Sequence, residues 1–194
     1  MTPEKEAPGE LRLAREADIS EMEGLIEASV RGLHGPYYTQ AQIDASIGTV
    51  FGVDRQLIVD GTYFVVEAGG RIIGCGGWSR RASLCGSDSL RTGEDPLVDP
   101  RTEPARIRAF FVHPGWVRRG VGSRIMAQCE RAIADAGFRT VVIMSTLAGE
   151  PLYAGFGYRV AERCDVGMPG GLSMSVLRME KPVLRGPVKA PEEQ

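Results

Sequence analysis

The chain has 194 residues, about one domain at ~150 residues per domain, and 43% of them are hydrophobic, so an ordinary core needs no disulfide or metal staples. Lys+Arg 23 against Asp+Glu 25 leaves a formal charge of −2, which excludes a global field for drawing in nucleic acid or an acidic membrane. Any anion site must be local, and the 25 glycines ask where backbone bends sharply or approaches something closely.

The Pro-rich, polar ends, 1–9 and 183–194, are read as poorly ordered tails around one domain over 10–182. Leu11 and Leu13 alternate with Arg12 as a short strand. Asp18 can then cap a helix whose apolar positions Ile19, Met22, Leu25, Ile26 and Val30 recur at helical spacing, with Gly32 closing it. Thr39 followed by Gln42 is a capping-box pattern for a second helix running to about Ile47. Residues 62–67 and 71–78 are β-rich runs joined by Ala68-Gly69-Gly70, the connection of an antiparallel hairpin.

Residues 79–104 carry no sustained periodicity and form a longer loop than a compact domain usually leaves, the kind used as a lid or binding loop or left disordered. Regularity returns with a strand at 105–112, a helix at 121–136 ended by Gly137, and a buried strand at 140–145. This is a βαβ unit with a parallel pair. A short helix at 151–155 and strands near 158–165 and 173–181 complete the chain, and there is no internal repeat.

The four cysteines, Cys75, Cys85, Cys129 and Cys164, include no C-x-x-C pair, and only His34 and His113 could join them, so no metal site is expected. No stretch of 18 apolar residues occurs, and the first ten residues lack the apolar core of a targeting signal. The expectation is a cytoplasmic protein with reduced thiols and no membrane partner.

The informative segment is RIRAFFVHPGWVRRGVGSRIMAQCERAI, a strand running into a turn with two arginines and two glycines and then into an amphipathic helix. The first N–H groups of a helix lack intrahelical partners and carry about half a positive charge, so this is an anion cradle. Gly120 and Gly122 give access to the backbone, and Arg118 and Arg119 add charge. A nucleoside-triphosphate loop needs Gly-Lys-Ser/Thr, which is absent; a dinucleotide fingerprint needs a third glycine where Ile125 stands.

The segment resembles motif A of the GNAT superfamily of N-acetyltransferases, a strand with V-x-P followed by [Q/R]-x-x-G-x-[G/A] opening a helix. Here it reads Val112-His113-Pro114 and Val117-Arg118-Arg119-Gly120-Val121-Gly122. The family's closing segment appears as Pro151-Leu152-Tyr153 and Gly157-Tyr158. The resemblance implies an α/β (α+β) fold: a mixed, mostly antiparallel central sheet with a splayed parallel strand pair, flanked by helices. It also implies acetyl-CoA as cofactor, its pyrophosphate on the backbone from Arg118 through Arg119, Gly120, Val121 and Gly122 to Ser123, and its pantetheine arm beside Phe111 and Val112. Two departures stand out: Val117 replaces Gln or Arg, and Ser145 and Thr146 stand where the family often has Asn.

By the same resemblance Tyr153 is the proton donor to the departing sulfur; an ordinary phenol, protonated at neutral pH, suits that role. The alternative is a packing aromatic. The oxyanion formed on attack would meet a backbone N–H near Phe111 or Val112. A base is not evident: the strand 106–112 has no carboxylate, Glu103, Glu150 and Asp99 read as solvated charges, and His113 reads as a turn residue. Cys129 falls with Val121, Ile125, Met126 and Ile133 on an apolar stripe and reads as core. The acceptor is expected to be a small-molecule primary amine, met by Tyr37, Tyr38 and Trp78, with Arg80 and Arg81 nearby, in a cavity bounded by Tyr37, Trp78 and Tyr153. A non-catalytic acyl-CoA-binding sensor is the alternative from another class, and assembly as a homodimer stays open.

Overall fold

The structure, a computed structural model, describes residues 9–83 and 95–183. Most of both tails and residues 84–94 of the long loop lie outside the described residues. The order is β1 (Glu10–Leu13), α1 (Ile19–Leu33), α2 (Gln40–Ser46), α3 (Arg55–Val59), β2 (Tyr63–Ala68) and β3 (Arg71–Ser79). It continues with β4 (Ala105–Val112), α4 (Val121–Asp135), β5 (Thr140–Thr146), α5 (Glu150–Gly155), β6 (Arg159–Gly167) and β7 (Ser173–Pro182). The seven strands form one sheet in the order β1-β2-β3-β4-β5-β7-β6. All pairings are antiparallel except β4 with β5.

Alternation along the strands sends side chains to two faces, and each face is covered by a different helical layer. On one, Met22, Leu25, Ile26 and Val30 of α1 pack with Tyr63, Val65, Cys75 and Phe111. On the other, Val121, Ile125, Met126, Cys129 and Ile133 of α4 pack with Ile73, Ile107, Val141 and Leu177. Full burial of each such aliphatic side chain contributes about 1.5–3 kcal/mol, so both layers are held chiefly by these stripes.

Three local devices place the helices. Arg12 on β1 grips the Asp18 carboxylate with both terminal nitrogens, 2.7 and 2.9 Å, and also Glu67 on β2. Asp18 thus tethers the start of α1 to the sheet instead of capping it with its side chain, and the guanidinium holds its carboxyl below the usual range. The Thr39–Gln42 capping box is formed in both directions. Gly32 does not close α1, which runs to Leu33; a Cβ on Gly32 would lie 2.4 Å from Pro114, so the glycine lets the helix approach the turn after β4.

The described flanks of the long loop are anchored. Arg81 pairs with Asp60 through two nitrogens, 2.7 and 2.8 Å, donates to the Asp95 carbonyl, and bridges to Leu97.

Candidate functional site

β4 has two neighbours that diverge. Its parallel ladder with β5 covers only Ala105, Arg106 and Ile107 opposite Val141, Val142 and Ile143. Beyond that point β5 stays with β7 as far as Thr146 opposite Val176, while β4 stays with β3 as far as Val112 opposite Gly74. The sheet opens between them.

A β-bulge coincides with the opening. Phe111 faces Cys75 and Arg108 faces Gly77, so Ala109 and Phe110 together oppose Gly76, and Ala109 takes a left-handed φ of 47°. The Tyr63 hydroxyl fixes this kink by donating to the Ala109 carbonyl at 3.0 Å. Gly76 makes room for it, since a Cβ there would sit 2.4 Å from the Phe110 ring. Past the bulge the His113 N–H donates to the Ile73 carbonyl, so strand alternation turns the Phe111 N–H toward β3 and the Val112 N–H toward the gap. The two candidates that the sequence leaves equal are thereby distinguished.

The gap holds a cavity of about 100 Å3 lined from both faces of the sheet, by His34, Phe51, Phe111 and Met144 on the α1 side and by Phe110 and Tyr153 on the α4 side. Arg108 also lines it, with its guanidinium 3.1 Å from the carboxylate of the equally buried Asp54.

At one end of the gap lies the cationic turn. Arg118 has a φ of 61°, Gly120 has 84°, and the first bond into α4 is donated by Arg124 to the Gly120 carbonyl. The N–H groups of Val121, Gly122 and Ser123 precede that bond and, by helix geometry, have no intrahelical acceptor. Arg118 and Arg119 are both exposed, and the Arg119 guanidinium stacks 5.1 Å above the Trp116 ring. A Cβ on Gly122 would be in close contact with Leu152, so the start of α4 rests against α5, the helix that carries Tyr153.

Tyr153 is 5% exposed, its ring set edge-on to Phe110 and to Tyr158. Burial pushes its phenol up, so it is a proton-holding group throughout the neutral range. Among the described residues its hydroxyl forms no hydrogen bond.

The other expected site residues are dispersed. Trp78 packs edge-on against Phe138 in the α4-side core and does not reach the cavity. Tyr38 is a pin: its hydroxyl donates to the Ser175 carbonyl and accepts from the Leu147 N–H, both at 2.8 Å. Tyr37 is 47% exposed and also outside the lining. The expected cavity bounded by Tyr37, Trp78 and Tyr153 is therefore corrected: Tyr153 belongs to it, and His34 and Phe51 take the places given to the other two. His113 is exposed and accepts from the Gly115 N–H as a turn residue, and Cys129 is buried in α4 with its thiol pushed up.

His34 is what sequence reasoning missed. It stands one place beyond α1, 5% exposed, with Tyr38 and Phe51 rings beside it. Burial pushes its imidazole down to about 4, so it is neutral at pH 7. The signal was its place four residues after Val30 and eight after Ile26, where the apolar stripe of α1 calls for another hydrophobe.

The sequence profile of the acetyltransferase (GNAT) domain matches residues 59–160. Among proteins of curated function none matches the sequence. Solved structures share the fold. A GCN5-related N-acetyltransferase from Rhodopseudomonas palustris is 19% identical over 91% of this chain and 96% of its own, with a TM-score of 0.68. PaiA N-acetyltransferase from Thermoplasma acidophilum, in complex with coenzyme A, is 14% identical over 89% and 98%, with a TM-score of 0.61. YncA from Salmonella typhimurium, with its cofactor acetyl-CoA, is 16% identical over 95% and 98%, with a TM-score of 0.60. The profile spans more than half the chain and takes in the bulged strand, the cationic turn, α4 and Tyr153; the chain belongs to the GNAT acetyltransferase family.

Proposed function

We propose that residues 10–182 form an N-acetyltransferase domain that moves the acetyl group of acetyl-CoA to a primary amine on a small molecule. The observation that carries this reading is the position of the gap: the β4–β5 ladder stops after three residues, the space it leaves is lined by Ala109, Phe110, Phe111 and Tyr153, and the left-handed Gly120 turn follows the end of β4. The residues present fit the cofactor. The N–H groups from Arg118 to Ser123 would hold the pyrophosphate, with Arg118 adding charge, and Phe111 and Val112 would flank the pantetheine arm. When bound, acetyl-CoA supplies an activated acetyl carbon as a thioester.

The chain's own groups do the rest. The Val112 N–H is the donor that can face developing negative charge on the acetyl oxygen. Tyr153 keeps its proton until the sulfur departs and then donates it. The small size of the cavity favours a small amine over an extended peptide. Tyr37, exposed and tied by its backbone N–H to the His34 carbonyl, would meet the outer part of the acceptor; Tyr38 supports the wall from behind through His34.

The test is calorimetric binding of acetyl-CoA to the full chain, followed by thiol release with alkylamines, arylalkylamines, amino acids and short peptides. The expected result is binding, with release for a small amine and none for peptides. Absence of acetyl-CoA binding, or release with peptides alone, would overturn the reading.

A further inference from the structure

The Nδ1 atom of His34 is buried and has no hydrogen-bond partner among the described residues. Leaving such a nitrogen unsatisfied costs about 1–3 kcal/mol, and a phenylalanine would fill the same aromatic niche between Tyr38 and Phe51 without that cost. The imidazole lines the cavity that also holds Tyr153, and the strand beside it carries no carboxylate. The cavity is thus lined on its α1 side by an imidazole with an unpartnered buried nitrogen and on its α5 side by a phenol that forms no hydrogen bond among the described residues.

We infer that His34 is the group that receives the acceptor amine, accepting a hydrogen bond from its N–H and taking its proton during transfer. This inference rests on the amine-acetylating reading above. The step balances: the amine lone pair forms the N–C bond as the C–S bond breaks, the nitrogen's proton passes to the imidazole, and the sulfur takes the Tyr153 proton. The proton on His34 then returns to solvent, from which Tyr153 is recharged. A neutral imidazole suits the first contact, because a charged one could not accept from an amine. The nearby charges Arg108 and Asp54 neutralise each other and so do not demand an ionised acceptor.

The experiment uses the full chain and the variants His34→Phe and His34→Gln. First, 15N-histidine spectra are recorded with coenzyme A present while n-butylamine or 2-phenylethylamine is added, a condition without turnover. The chain has two histidines, so the His34 signals are identified by their loss in His34→Phe. The expected result is movement of the His34 nitrogen resonances and not those of His113. Second, His34→Phe should bind acetyl-CoA within about twofold of the parent but lose about 100-fold in kcat/KM for the best acceptor, the scale of a general base. His34→Gln, which restores an acceptor atom but not a base, should recover KM and leave kcat at least about tenfold low. Unmoved His34 resonances, parent-like transfer by His34→Phe, or full recovery of kcat by His34→Gln would each overturn the inference. A parent that binds acetyl-CoA but transfers to no amine overturns the function reading itself, and that outcome is distinct from an active parent matched by an active His34→Phe.

Discussion

The two sides of the proposed site are built by opposite means. The side proposed to hold the cofactor is backbone from one stretch, 109–123, shaped by a bulge, a left-handed turn and a helix start. The side proposed to receive the acceptor is assembled from side chains far apart in the chain, His34, Phe51 and the Arg108–Asp54 pair among them. Backbone recognition tolerates many side chains, whereas a wall of side chains changes its chemistry with each substitution. The pairing of a permissive donor site with a sequence-sensitive acceptor site follows from that division.

Breaking the acceptor wall should give the largest stability loss. Asp54 and Arg108 are nearly inaccessible, and removing one charge leaves the other buried with weaker compensation, Asp95 standing 3.8 Å away. Asp54→Asn should therefore cost about 3 kcal/mol in urea unfolding with an unchanged m-value, and Asp54→Leu combined with Arg108→Met should recover most of it. Equal losses for the single and double variants would mean that Asp54 acts through α3 and not through the ion pair.

This division also explains what the sequence makes legible. The α1 stripe, the Thr39–Gln42 box, the hairpin and the cradle at Gly120 depend on residues a few positions apart, and each stands within one or two residues of its expected place. The helix Arg55–Val59 escapes notice because it is five residues long, has no side-chain cap and buries only Leu57. Gly32 misleads because its reason, the approach of Pro114, is distant in sequence. Trp78 and Tyr38 look like acceptor contacts by residue type alone, while their burial is decided by Phe138 and by the carbonyl of Ser175. His34 and Phe51 meet only once α1 lies across the sheet.

Chemistry at the junction of the walls should be sensitive in rate alone. Tyr153→Phe preserves the ring contacts with Phe110 and Tyr158 and removes only the hydroxyl. Transfer should fall at least about tenfold, 1.4 kcal/mol of barrier, with acetyl-CoA affinity unchanged. Because burial raises the phenol, the parent's rate should show no loss from tyrosine ionisation near neutral pH. Unchanged turnover in this variant would remove Tyr153 from the reaction and return it to packing.

The smallest effect is expected on the cofactor wall, and it should appear in affinity. Gly120 holds a φ of 84° at the head of α4, a conformation that costs an L-residue about 1–2 kcal/mol. In Gly120→Ala the free protein can relieve that strain by letting the turn relax, but the N–H groups then no longer converge on one point. Binding of the pyrophosphate must restore the strained turn, so the cost is charged to the complex. Acetyl-CoA should bind about tenfold more weakly, while kcat at saturating cofactor and KM for the amine stay near the parent values. That pattern is the reverse of the one expected for His34→Phe. A Gly120→Ala variant with parent-like affinity would show that the turn does not hold the phosphates, and the division between a backbone wall and a side-chain wall would fail at its more legible half.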